Sequence, residues 1–145
     1  MTHPVMLLPG AMPALLALNK ATGHSGVPPV TALLVQLRVS QINGCSWCTL
    51  DHSTSLARAG ESVERITCVA AWREAPFYTD EDRAALELAE ALTRIADRPD
   101  PVGDELWARV GECYDEAALA ALLVQIAQIN VWNRLNVAIR QVAGS

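Results

Sequence analysis

The sequence predicts an all-α domain of about six to seven helices. Three observations carry this expectation. Apolar residues recur three and four apart through most of the chain. Glycine and proline punctuate it at helix-length intervals. No segment keeps the two-residue alternation of a half-buried strand.

Pro13 suits the first turn of a helix reaching about Ala21, because that turn leaves its N–H groups unpaired anyway. GHSG at 23–26 interrupts the chain, and Pro28 and Pro29 introduce the next helix, with Leu33, Leu34, Leu37 and Ile42. Gly44 breaks it, since glycine accepts the backbone angles that end one helix and begin another. A helix after the cysteine pair stops at Ala59-Gly60. Ser62 caps another from about Val63 to Trp72, with Ile66, Val69 and Ala70 as its apolar stripe. Pro76 forces a break. Thr79 and Asp82 form a capping-box pattern, with Asp for the usual Glu or Gln, and open a helix from about Asp80 to Ile95. Leu88, Leu92 and Ile95 are its expected inner face, and Glu81, Glu87 and Glu90 its wet side. DRPDP at 97–101 is a turn, and Leu106, Trp107 and Val110 mark a short helix.

The last helix is expected from about Asp115 to Val142. Between Ala117 and Val131 it is apolar on nearly every side, which suits a central helix or one shared between copies. Its later part, INVWNRLNVAIR, brings amides that need partners when buried. Those partners lie in the core, across a subunit contact or around reactive thiols. LLVQLRVSQIN at 33–43 echoes LLVQIAQIN at 122–130, as two helices with similar packing roles would.

A chain of 145 residues, 51% hydrophobic, fits one domain over 1–145 with a substantial core. The formal charge of -5, without a basic block, argues against a nucleic-acid partner. The apolar run from Val5 to Leu18 carries Pro9 and Pro13 and lacks a basic leader, so no secretory signal is expected. No uncharged run is long enough for a membrane span, and a cytoplasmic protein is expected.

The chemistry centres on residues 36–52, QLRVSQINGCSWCTLDH. A helix beginning near Cys45 or Ser46 places Cys48 in its first turn, where free N–H groups and the helix dipole favour a thiolate. His52, four residues on, shares a face with Cys48. Three readings fit this pattern. Dithiol redox chemistry uses one thiolate to attack and the other to close a disulfide, with His52 relaying a proton. A zinc site uses Cys45, Cys48 and His52, completed through the fold by Cys68, Cys113, His3 or His24. The third is two core thiols and a core histidine. Cys68 and Cys113 are expected as structural thiols. Trp47 is a packing anchor or a lid over the thiols, with the anchor favoured. The pair does not follow a strand, as it does in thioredoxin-like proteins.

The stretches LRVSQINGCSWCTLDHSTSLARAGE, VAAWREAPFYTDEDRAALELAEALT and INVWNRLNVAIR resemble the carboxymuconolactone decarboxylase and alkylhydroperoxidase D superfamily. The resemblance spans about Leu15 to Arg140. It implies an all-helical protein that assembles as a dimer, trimer or hexamer. It also implies a thiol peroxidase or dithiol–disulfide oxidoreductase of antioxidant type, needing no cofactor. Its substrate would be a small hydroperoxide or disulfide, and its reductant an external dithiol. On this implication Cys48 attacks, Cys45 resolves, and His52 activates the thiol through a water. The peroxidase branch also carries a glutamate twelve residues before the first cysteine, where this chain has Leu33, and a histidine where it has Trp47. Gln36, Glu61, Asn133 and Arg134 are candidates to stand in for them. Two other functions remain open at this point. One is a non-redox enzyme on a small organic acid or lactone, with His52 as base and Arg134 holding a carboxylate. The other is a non-catalytic, redox-responsive oligomer.

Overall fold

The computed structural model describes residues 1–23 and 26–145. Among the described residues the fold is all-helical and contains no strand. The α-helices are α1 (Pro4–Leu7), α2 (Ala11–Ala21), α3 (Pro29–Asn43), α4 (Ser46–Arg58), α5 (Val63–Cys68), α6 (Asp80–Thr93), α7 (Asp104–Cys113) and α8 (Glu116–Ala138). Short 3₁₀ turns follow α5 and α6 at Val69–Ala71 and Ile95–Asp97.

Helix α3 lies at the centre and packs on α4, α6 and α8. Leu34, Leu37, Leu56, Leu88, Leu122 and Ile126 are fully buried where these helices meet. Helix α8 is central, as its apolar surface implied, and its inward face runs from Ala118 to Asn136. Among the described residues no helix is long and apolar enough to cross a membrane.

Local chemistry sets most boundaries. Pro29 opens α3 and Ser62 caps α5 by accepting from the Arg65 N–H. Thr79 and Asp82 form the reciprocal capping box of α6. The Asp115 carboxylate caps α8 by accepting from the Ala118 N–H at 2.8 Å.

Several expectations need correction. Helix α1 was not anticipated, and α2 begins at Ala11, ahead of Pro13. The helix after Ser62 tightens into a 3₁₀ turn at Val69, which shifts the side-chain register and leaves Ala70 exposed. Arg83 then ties down the following loop by donating to the carbonyls of Trp72, Arg73, Ala75 and Tyr78. Because α6 ends at Thr93, Ile95 leaves the inner face and is 54% exposed. Trp107 also faces out, while Leu106 and Val110 face in. Helix α8 stops at Ala138, before a left-handed Arg140, rather than at Val142.

Glu90 is not on a wet face. Its carboxylate accepts from Arg38 Nε at 2.6 Å, Arg73 at 2.6 Å and Trp72 Nε1 at 3.0 Å. Burial alone would raise its pKa, but the bonds from Arg73, Arg38 and Trp72 prevail and hold it below the usual 4.5. Glu90→Ala is therefore expected to lower stability by about 2 kcal/mol, measured by urea unfolding at neutral pH. A carboxyl with a lowered folded-state pKa stabilises above its unfolded value. That contribution should fade as pH falls through and below 4.5 in the parent and be absent in the variant.

Candidate active site

The turn between α3 and α4 builds the cysteine pair. Gly44 sits at φ 70°, in the left-handed region that glycine tolerates best. Its N–H donates to the Gln41 carbonyl at 3.2 Å, and the Cys45 N–H donates to the Ser40 carbonyl at 3.0 Å. This pair of bonds is a Schellman stop. Cys45 is at the same time the N-cap of α4, where its Sγ accepts from the Cys48 N–H at 3.3 Å. One residue thus closes one helix and opens the next, and Cys48 falls in the first turn.

The two sulfurs are paired as a disulfide, with Cα atoms 5.4 Å apart. Both cysteines are 2% exposed. Only Cys48 lines the adjoining cavity of about 420 Å³, which extends along α2, α4 and α8. Its walls include Trp47, Asp51 and His52 from α4, Gln36 from α3, Met12 and Leu16 from α2, and Trp132 and Asn136 from α8. Among the described residues no lysine or arginine lines it.

Burial pushes the His52 imidazole below its usual 6.5, and the Asp51 carboxylate, 3.9 Å from Nδ1, opposes this only in part. His52 is therefore neutral at physiological pH and has a basic nitrogen available. At Cys48, the Asn136 Nδ2 donates to Sγ at 3.2 Å. Asn136 Oδ1 in turn lies 2.9 Å from His3 Nε2, and His3 Nδ1 accepts from the Val5 N–H at 3.3 Å.

The structure brings Cys45, Cys48 and His52 into one region, with Gln36 on the same cavity. The other proposed stand-ins lie elsewhere. Glu61 bonds Arg65 at 3.2 Å and the Ser62 N–H at 2.8 Å. Asn133 accepts from Asn43 at 2.9 Å and donates to Ser40 Oγ at 3.1 Å, in the packing of α3 on α8. Arg134 donates to the carbonyl and Oδ1 of Asn130, both at 3.1 Å, and does not line the cavity. In the alternative reading of a non-redox enzyme, Arg134 would thus not meet a carboxylate held in this cavity. Leu33 packs against the hydrophobic core. Trp47 forms part of the cavity wall, with Nε1 donating to the Ser145 carbonyl at 3.4 Å, so it is not a core anchor.

Among the described residues no group of three or more His, Cys, Asp or Glu side chains is arranged to hold a metal ion. His24, one suggested fourth ligand, lies outside the described residues. Cys68 and Cys113 are free, half-buried thiols packed against the core. Burial, then Glu81, Asp80 and Glu112, push the Cys113 thiol up, the opposite of activation.

Sequence reasoning weighed His3 only as a zinc ligand and missed its contact with Asn136. One local signal was present, a polar residue directly before Pro4 where a helix can begin.

Residues 9–91 match the carboxymuconolactone decarboxylase family. The chain is 40% identical to the uncharacterized protein YdfG of Bacillus subtilis, over 96% of this chain and 93% of YdfG. It is also similar to the solved structure of ATU0492 from Agrobacterium tumefaciens, a protein of unknown function described as a candidate antioxidant defence protein AhpD. That match has a TM-score of 0.88 and 30% identity, and covers 97% of this chain and 95% of that one. A variant of the debrominase Bmp8, solved with 2,3,4-tribromopyrrole, shares the fold at a TM-score of 0.84 and 20% identity, covering 97% of this chain and 74% of that one. With the all-helical architecture and the Cys45–Cys48 pair beside them, these matches establish that the chain belongs to the carboxymuconolactone decarboxylase family.

Proposed function

We propose that the protein is a thiol-dependent hydroperoxide reductase of antioxidant type. The supporting observation is a single arrangement. The Cys48 sulfur stands in the first turn of α4, lines a cavity shared with a neutral His52, and lies within bonding reach of Cys45.

The reaction starts from the reduced pair. His52 takes the Cys48 thiol proton, directly or through a water. The thiolate attacks the outer oxygen of a hydroperoxide and the O–O bond breaks. The alkoxide leaves with the proton as an alcohol, and Cys48 becomes a sulfenic acid. Cys45 condenses with it, releasing water and forming the disulfide. An external dithiol then supplies two electrons and two protons and is itself oxidised to a disulfide. A small disulfide taken in place of the peroxide would use the same sulfurs.

A dithiol reductant of this kind is available in the cytoplasm. We also propose a homo-oligomer. Its support is the exposed apolar surface of Met6, Leu7, Leu8 and Leu16 on and beside α1 and α2.

The test is anaerobic mixing of the fully reduced protein with an organic hydroperoxide. One equivalent of peroxide should yield one equivalent of alcohol with loss of two thiols, mapped to Cys45 and Cys48. The rate should fall as acid protonates the thiol and His52. Turnover should become continuous when a dithiol is supplied. Consumption no faster than that by free cysteine would defeat the proposal. Reduction of a small disulfide without peroxide turnover would move it to dithiol–disulfide exchange.

A further inference from the structure

We infer that the Asn136 side-chain amide, oriented by His3, is the hydrogen-bond donor that stabilises the Cys48 thiolate. The purpose of this assignment rests on the function proposed above, but its geometry does not.

Each link in the chain has only one workable polarity. The Val5 N–H donates to His3 Nδ1, so that nitrogen must be the acceptor. The neutral imidazole then carries its hydrogen on Nε2, which donates to Asn136 Oδ1 at 2.9 Å. With its oxygen engaged, the amide turns its NH₂ toward Cys48 Sγ, 3.2 Å away. A flipped amide would set a carbonyl oxygen against a thiolate and would lose the His3 bond. Asn136 is 5% exposed, so water competes weakly for the sulfur and the bond acts in a low local dielectric.

The surroundings give this donor its weight. Cys48 shares its cavity with Asp51 and His52 from α4, Gln36 from α3 and His3 from the segment before α1. The Asp51 carboxylate opposes a thiolate, and among the described residues no lysine or arginine lines the cavity to support one. What remains is the start of α4, the histidines and the amide. Asn136 touches the reacting atom, whereas His3 is a positioning residue that acts through it.

The test is the pH profile of Cys48 alkylation by iodoacetamide in the reduced full-length protein, read at that residue by mass spectrometry. Asn136→Leu should raise the apparent thiol pKa by about one unit, the value of one hydrogen bond to a charged group. Asn136→Asp should raise it further, because it presents a carboxylate to the thiolate. His3→Ala should raise it by less than Asn136→Leu, since the amide survives but is free to turn. Far-ultraviolet circular dichroism checks folding. If the Asn136 variants do not fold, His3→Ala decides alone, because His3 is only half-buried and caps nothing beyond the four-residue α1.

An unshifted profile in Asn136→Asp or in His3→Ala overturns the inference. No peroxide enters the measurement. Shifted profiles in a protein that fails to reduce hydroperoxide would uphold the thiolate donor and remove the proposed function. Unshifted profiles in an active peroxidase would do the reverse.

Discussion

Cys48→Ser is expected to abolish hydroperoxide reduction, lowering the rate by about a thousandfold or more. A serine hydroxyl is not ionised near neutrality and cannot take the oxygen atom as sulfur does. The helix start and the Asn136 amide would then surround a group that carries no charge. Cys45→Ser is the informative comparison. Serine is a good N-cap, so the beginning of α4 should persist. Cys48 would still react once, but its sulfenic acid would have no neighbouring thiol. One fast equivalent of peroxide consumption without intramolecular disulfide is the expected result. Both variants can be followed by stopped-flow peroxide assays with thiol mapping. Normal turnover by Cys48→Ser would end the case for this sulfur as the attacking group.

Asp82→Ala is expected to cost about 3–5 kcal/mol of stability. Asp82 is only 3% exposed. Its carboxylate accepts from Thr31 Oγ1 at 2.7 Å, Arg65 Nη2 at 2.6 Å and the Thr79 N–H at 3.2 Å. It therefore joins α3, α5 and the first turn of α6. Alanine would strand the Thr31 hydroxyl, weaken the capping box and leave the Arg65 cation, among the described residues, with Glu61 alone as an acidic partner. Urea unfolding with an unchanged m-value would register the loss. Asp82→Asn, which keeps the shape and an acceptor oxygen, should cost less. Equal costs for the two variants would show that the charge carries the whole effect, and a costless Asp82→Asn would show that it contributes nothing.

The sequence carried much of this architecture because most helix limits here are local. The prolines before α3, the Thr79–Asp82 box and the Gly44 stop each act within a few residues. The failures arose where partners were remote. Glu90 has the spacing of a wet-side residue, yet Arg38 comes from another helix to meet it. The same division runs through the site. Cys45, Cys48 and His52 were legible because one helix start arranges all three. The amide at Cys48 was not, since 88 residues separate Asn136 from its sulfur and 133 separate it from His3. No periodicity announces such a meeting. The echo between α3 and α8 was a partial clue. Its matched glutamines, Gln36 and Gln125, both line the cavity, and its terminal residues, Asn43 and Asn130, hydrogen-bond at 3.0 Å.

The double duty of Cys45 at the junction of two helices has a consequence for regeneration. Its sulfur is buried and does not border the cavity, whereas that of Cys48 does. On the proposed chemistry, an incoming reductant can approach the bridge from one side only, and the mixed disulfide must form on Cys48. Cys45 is then the leaving group. The backbone N–H that already points at its sulfur would stabilise the departing thiolate, so the resting reduced pair is restored with little movement of the chain.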